Sequence, residues 1–190
     1  VVGGVESKLL AYGLLAWSAA NAINRRHRLA AALCGLAISV HPIVGGWGLV
    51  LAVLARPLPI DRQRLIQAGL VFLCALPGAL PALSLLGDGT TQADSIQVFT
   101  RLGHHLVPIR FSLPAVITYI VGLAAWLCGR RFTVSTPQES WWTRVVLAAV
   151  FVAVVGYAVA LDRPPGDAQA DHLRLVLMKF YPYRLVDVLL

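Results

Sequence analysis

The densest polar chemistry in this chain lies in ten consecutive residues, Arg101-Leu-Gly-His-His-Leu-Val-Pro-Ile-Arg110. Two adjacent imidazoles, His104 and His105, stand between two guanidinium groups, Arg101 and Arg110. Histidine titrates near neutrality and so suits proton transfer or metal ligation. Arginine presents a planar fork that matches a phosphate in two hydrogen bonds. Neighbouring histidines on a helix point about 100° apart, so the pair acts on one ligand only in an irregular turn, for which Gly103 is placed. The plainer reading is an interfacial loop with polar tips and two arginines reaching for water.

Three further groups stand out. His41 lies within Leu29–Ala55, a run of 27 residues without a formal charge. An ionisable side chain at membrane depth marks a functional site by default. The alternative is a neutral ring capping the backbone broken at Pro42. Glu6, beside Lys8, reads either as a site acid or as the interfacial start of a helix, and the cost of burying charge favours the start. Near the C-terminus, Arg174, Lys179 and Arg184 with Tyr181 and Tyr183 form either a lipid-headgroup face or an ordinary amphipathic one.

The elements that hold these residues are apolar. Of 190 residues, 58% are hydrophobic and 13% charged, and mean hydropathy is +0.73. Soluble domains carry about 25% charged residues. The composition therefore predicts an all-α, polytopic integral membrane helical bundle, a single transmembrane domain over 1–190. Val1 at the start and the apolar run at Leu190 suggest a piece of a longer protein. The net charge of +7 comes from 16 basic and 9 acidic residues. The basic residues sit between apolar segments without interleaved aromatics, so they read as topology determinants rather than a nucleic-acid surface.

In chain order, crossings or partial crossings are expected at Leu9–Asn24, Leu65–Leu86, Ser112–Cys128 and Thr143–Leu161. Pro77 and Pro81 suggest a kink in the second. Short amphipathic helices are expected along the interface at Asp94–Leu102 and His172–Leu190. Leu29–Ala55 is different. Proline lacks a backbone donor and disfavours helix in the residue before it, so His41-Pro42 splits the run into two limbs too short to span. Arg25-Arg26-His27-Arg28 precedes the run, and Arg56, Arg62 and Arg64 follow it. Both basic clusters fall on one side only if the run enters and returns, as a hairpin with His41 at its apex. Under that topology Arg130, Arg131 and Arg144 also fall on the cytoplasmic side. Glu6, His41, Arg101, His104, His105 and Arg110 then face the other.

Cys34, Cys74 and Cys128 lie in apolar segments without metal-ligand spacing and read as packing residues. No metal site is assigned. Gly45-Gly46-Trp47-Gly48 reads as a place of close helix packing. No phosphate loop, nucleophile elbow or dinucleotide fingerprint is present.

Gly4-Val5-Glu6-Ser7-Lys8, Arg25-Arg26-His27-Arg28, the run Ala31 to His41-Pro42, His104-His105-Leu-Val-Pro108 and Tyr181-Pro-Tyr-Arg-Leu-Val-Asp187 together carry a resemblance. The chain resembles the middle of the GT-C superfamily of multi-pass membrane glycosyltransferases. It looks most like an uncharacterised bacterial family within that group. The resemblance implies an inner-membrane protein that uses a polyprenyl-phosphate-linked sugar, with membrane lipids as partners and a polar pocket on the non-cytoplasmic face. In such enzymes the catalytic acid usually lies in the first extracytoplasmic loop, which has no counterpart here. No catalytic residue and no cofactor is carried over. The other class of reading is a transporter or lipid-binding membrane subunit without catalysis.

Overall fold

The structure, a computed structural model, describes residues 6–56, 61–84, 96, 111–132, 136–160 and 178. The described residues are helical, with no strand among them. The chain divides into two compact units, Val1–Gly87 and Asp88–Leu190.

The first unit contains α1 (Ser7–Ile23), α2 (His27–Val40), α3 (Pro42–Leu54) and α4 (Arg62–Ser84). α1 ends in a Schellman turn. Arg26 N–H donates to the Asn21 carbonyl at 2.9 Å, and Arg25 N–H to that of Ala22 at 3.2 Å. Arg25 takes the left-handed position of this turn, φ 60°, which glycine fills at lower cost. The turn sends α2 back along α1. Ser18 Oγ donates to the Ala30 carbonyl at 2.7 Å between the two helices.

The break expected at His41-Pro42 is present. His41 ends α2 and begins α3 in extended backbone, φ −149° and ψ 95°. Pro42 occupies the first turn of α3, where its missing N–H costs nothing. α3 then returns along α2. Its last turn leads into Arg56, whose Nη2 lies 3.0 Å from Nδ1 of His27, the first residue of α2. Nη1 of the same guanidinium donates to Gln67 Oε1 of α4 at 3.3 Å. The hairpin's two feet and the start of α4 thus meet at one end.

α4 runs parallel to α2 and closely against it. A Cβ on Gly35 would lie 2.5 Å from the Val71 carbonyl oxygen and 2.7 Å from Cys74 Cβ. One on Gly78 would overlap the Ser39 carbonyl. Gly35 and Ser39 are four apart on α2, and Cys74 and Gly78 four apart on α4. Two small-xxx-small pairs therefore face each other and let the backbones approach. In the Gly45–Gly48 segment, Gly45 sits against Ala37 and Ile38, and Gly48 against Leu15 of α1; nothing lies near Gly46. α4 continues helically through Pro77 and Pro81.

The second unit contains α5 (Leu113–Arg130) and α6 (Pro137–Ala160). A capping box starts α6. Thr136 N–H donates to Glu139 Oε2 at 2.8 Å, and Glu139 N–H to Thr136 Oγ1 at 3.2 Å. Arg130, at the end of α5, donates to Thr143 Oγ1 and lies over the Trp126 ring, 5.5 Å from its centroid. This contact links the end of α5 to the second turn of α6.

Two described helices are long and apolar enough to cross a membrane, within Arg62–Ala82 and Glu139–Ala158. The segment expected to cross at Ser112–Cys128 is helical, but its apolar part, Val116–Arg130, is shorter, as are α2 and α3. α1 has 17 residues.

Burial is inverted relative to a soluble domain. The inner positions of the first unit are mostly small: Ala11, Ala30, Ala31, Cys34, Ala37, Ala55 and Ala75. The outer ones are large: Leu9, Trp17, Phe72 and Leu73 are each more than half exposed. α6 repeats this, with Ala149 and Ala153 inside and Phe151 and Val154 outside. Contiguous apolar surface on that scale suits lipid or a protein partner.

Candidate functional site

His41 is fixed by the break it sits in. Its Nδ1 accepts the Val44 N–H at 3.3 Å, so the ring caps α3. Nε2 is the remaining ring nitrogen. Glu6 precedes α1 in extended backbone and makes no side-chain cap hydrogen bond. Its carbonyl accepts from Leu9 N–H at 2.9 Å, which is the helix-start geometry. Lys8 lies over the Tyr12 ring, 5.8 Å from its centroid. α1 and α3 run in directions that put Glu6 and His41 at the same end of the first unit, with no hydrogen bond between them.

Arg101, His104, His105 and Arg110 lie outside the described residues, as do the amphipathic helices expected at 94–102 and 172–190, Ile96 and Met178 aside. Among the described residues no group of three or more His, Cys, Asp or Glu side chains converges on a metal position.

The opposite end of the first unit is the better-defined polar cluster, and sequence reasoning treated it only as a topology signal. Arg56 is half-buried between two neutral acceptors. Arginine only donates, so His27 Nδ1 is the acceptor and the ring is the neutral tautomer with its proton on Nε2. Gln67 Oε1 is the second acceptor. Burial and the neighbouring Arg64 charge push the Arg56 pKa down. Asp61, the acid in this region, caps α4: its Oδ1 accepts the Arg64 N–H at 2.8 Å. The signal available in sequence was a histidine inside a run of arginines, where neutrality is electrostatically favoured.

Burial first, then the Arg56 and Arg25 charges, hold the His27 imidazole below its ordinary 6.5. The folded state thus prefers the neutral ring. Above pH 6.5 the shift costs nothing; as pH falls through 6.5 toward the folded value, the unfolded chain binds the proton first and stability declines. Protonation also turns Nδ1 from acceptor to donor and removes its bond with Arg56. The thermal midpoint in detergent is expected to fall between about pH 7.5 and about pH 5. His27→Gln keeps an acceptor without the titration and is expected to abolish the His27 part of that fall. An unchanged pH profile in the variant would remove His27 from the account.

No protein-family model matches this chain, and neither a curated protein nor a solved structure does.

Proposed function

We propose that the chain is part of a multi-pass membrane protein that resembles polyprenyl-phosphate-sugar-dependent glycosyltransferases and works on the non-cytoplasmic face of a bacterial inner membrane. The observation that carries its orientation is the Arg56–His27 contact, 3.0 Å, at the feet of the hairpin. It gathers Arg25, Arg26, Arg28 and Arg56 at one end of the first unit, beside the start of α4 with Arg62 and Arg64. Lys and Arg favour the cytoplasmic side, so Glu6 and His41 belong to the other. The large apolar side chains on the outside of α4 and α6 support lipid as their surroundings.

On this reading the lipid-linked donor enters sideways from the bilayer. Arg101 or Arg110 holds its phosphate in a bidentate contact. His104 or His105 orients that phosphate, a metal or the acceptor. His41 keeps the hairpin apex folded through its cap on α3. Its engaged Nδ1 weighs against the transporter alternative, in which His41 would line a translocation path.

The test is turnover of a polyprenyl-phosphate sugar by the full-length protein. His104→Ala combined with His105→Ala is expected to lower it on the order of 100-fold, the scale of lost positioning. Unchanged turnover in the double variant removes the pair from catalysis. No turnover by the parent protein across donor sugars removes the enzyme reading.

A further inference from the structure

The end of the first unit where the hairpin's feet meet α4 carries a charge imbalance that topology alone does not require. Arg56 is half-buried, and its two partners, His27 and Gln67, are neutral. Among the described residues it has no carboxylate partner. Arg25, Arg26 and Arg28 are exposed on the turn that His27 belongs to, and Arg62 is exposed on the first residue of α4. Neither α2 nor α4 has an acid in its first turn. The two helices run parallel, so both N-termini lie here; Asp61 caps that of α4, and the positive dipole end of α2 has no acid. α2 also has no side-chain cap on its first N–H groups, which leaves backbone donors at the same end.

A half-buried guanidinium with two neutral acceptors retains a full unit of uncompensated charge. An anion at this point would gain more than at an exposed arginine, because burial weakens screening. The chemistry that fits is a phosphate, which accepts from guanidinium and backbone N–H alike. At a hairpin foot beside a long apolar helix, its source is a lipid. Basic pockets between helices on the cytoplasmic side suit such head groups.

We propose that the base of the α2–α3 hairpin, with Arg56 as its floor and Arg25, Arg26, Arg28 and Arg62 on the segments that meet there, binds the phosphate head group of an anionic lipid. This site rests on the membrane reading and is independent of the glycosyltransferase one. It lies at the opposite end of the unit from Glu6 and His41. The bound head group ties α2, α3 and α4 together at their common end, because Arg56 already bridges two of them and α4 contributes Gln67.

The test is native mass spectrometry of the full-length protein in micelles titrated with phosphatidylglycerol, phosphatidylcholine or inorganic phosphate. Phosphatidylglycerol is expected to be retained about ten-fold more than phosphatidylcholine. Arg56→Gln and, separately, Arg26→Gln are expected to lower that retention about five-fold each. Arg26 is exposed, so its replacement spares the fold, and far-ultraviolet circular dichroism checks Arg56→Gln. Arg130→Gln with Arg131→Gln, on the second unit, is expected to leave retention unchanged. Equal retention of the two lipids overturns the site, as does an equal loss in the Arg130/Arg131 variant. Displacement of phosphatidylglycerol by inorganic phosphate overturns the lipid as ligand. Failure of the membrane reading is seen separately: the protein would then not float with phosphatidylcholine vesicles after alkaline washing.

Discussion

Gly78→Val is expected to destabilise the first unit by about 3 kcal/mol, the upper part of the overpacking range. The site has no soft neighbour to yield. A Cβ there meets the backbone of Ser39, and its second-nearest and third-nearest atoms belong to the same residue. Relief requires moving α4 away from α2 along the whole Gly35–Ser39 and Cys74–Gly78 seam. That movement also pulls Gln67 from Arg56. Gly69 is the control on the same helix, because nothing lies within 4 Å of a Cβ placed there. Gly69→Ala is expected to be neutral or to stabilise by up to about 1 kcal/mol through helix propensity. The measurement is unfolding in mixed micelles as denaturing detergent is raised. Similar losses for the two variants would mean that the α2–α4 seam is not tightly closed.

Leu73→Arg is expected to lower membrane insertion of α4 by about 3 kcal/mol, the cost of a central arginine in a spanning helix. Leu73 is the midpoint of Arg62–Ser84 and is 64% exposed. The two possible surroundings give opposite answers. On a surface facing water, the same change falls within about 0.5 kcal/mol of neutral. On a surface facing hydrocarbon, the guanidinium must be dragged to the interface or solvated by a water defect. The expected readout is a shift of more than about 100-fold in the inserted-to-uninserted ratio of the full chain carrying a glycosylation tag beyond α4. Gln63→Arg, near the start of α4, is expected to change little. Normal insertion of the Leu73 variant would place that face against water or protein.

The helices and the hairpin were legible in the sequence because their causes are local. Pro42 lacks a donor and restricts His41, so the break needs no tertiary information. The Arg clusters on both flanks then choose return over crossing. His41 itself was only half legible. An apolar run shows that a histidine is embedded, but whether its ring serves a ligand or its own backbone depends on one side-chain torsion. The α2–α4 seam was present in the spacing of Gly35, Ser39, Cys74 and Gly78, yet pairing two motifs forty residues apart needs the parallel alignment of their helices. Arg56 was illegible in a different way. Its charge reads from sequence as a topology signal, while its partial burial arises only when His27 and Gln67 close over it. The histidine pair at 104–105 remains a reading of residue types alone, since its surroundings lie outside the described residues.

The hairpin has one more consequence. Because Arg56 ends beside His27, the chain leaves the α2–α3 element at the end where it entered. In a membrane such an element preserves parity: it adds apolar residues without changing the side on which everything after it lies. In a membrane the stretch from Leu29 to Ala55 would then add no crossing, and α4 would start on the side where α1 ends. Pro42 guards that parity, since a residue that let α2 run on through position 42 would turn a return into a crossing.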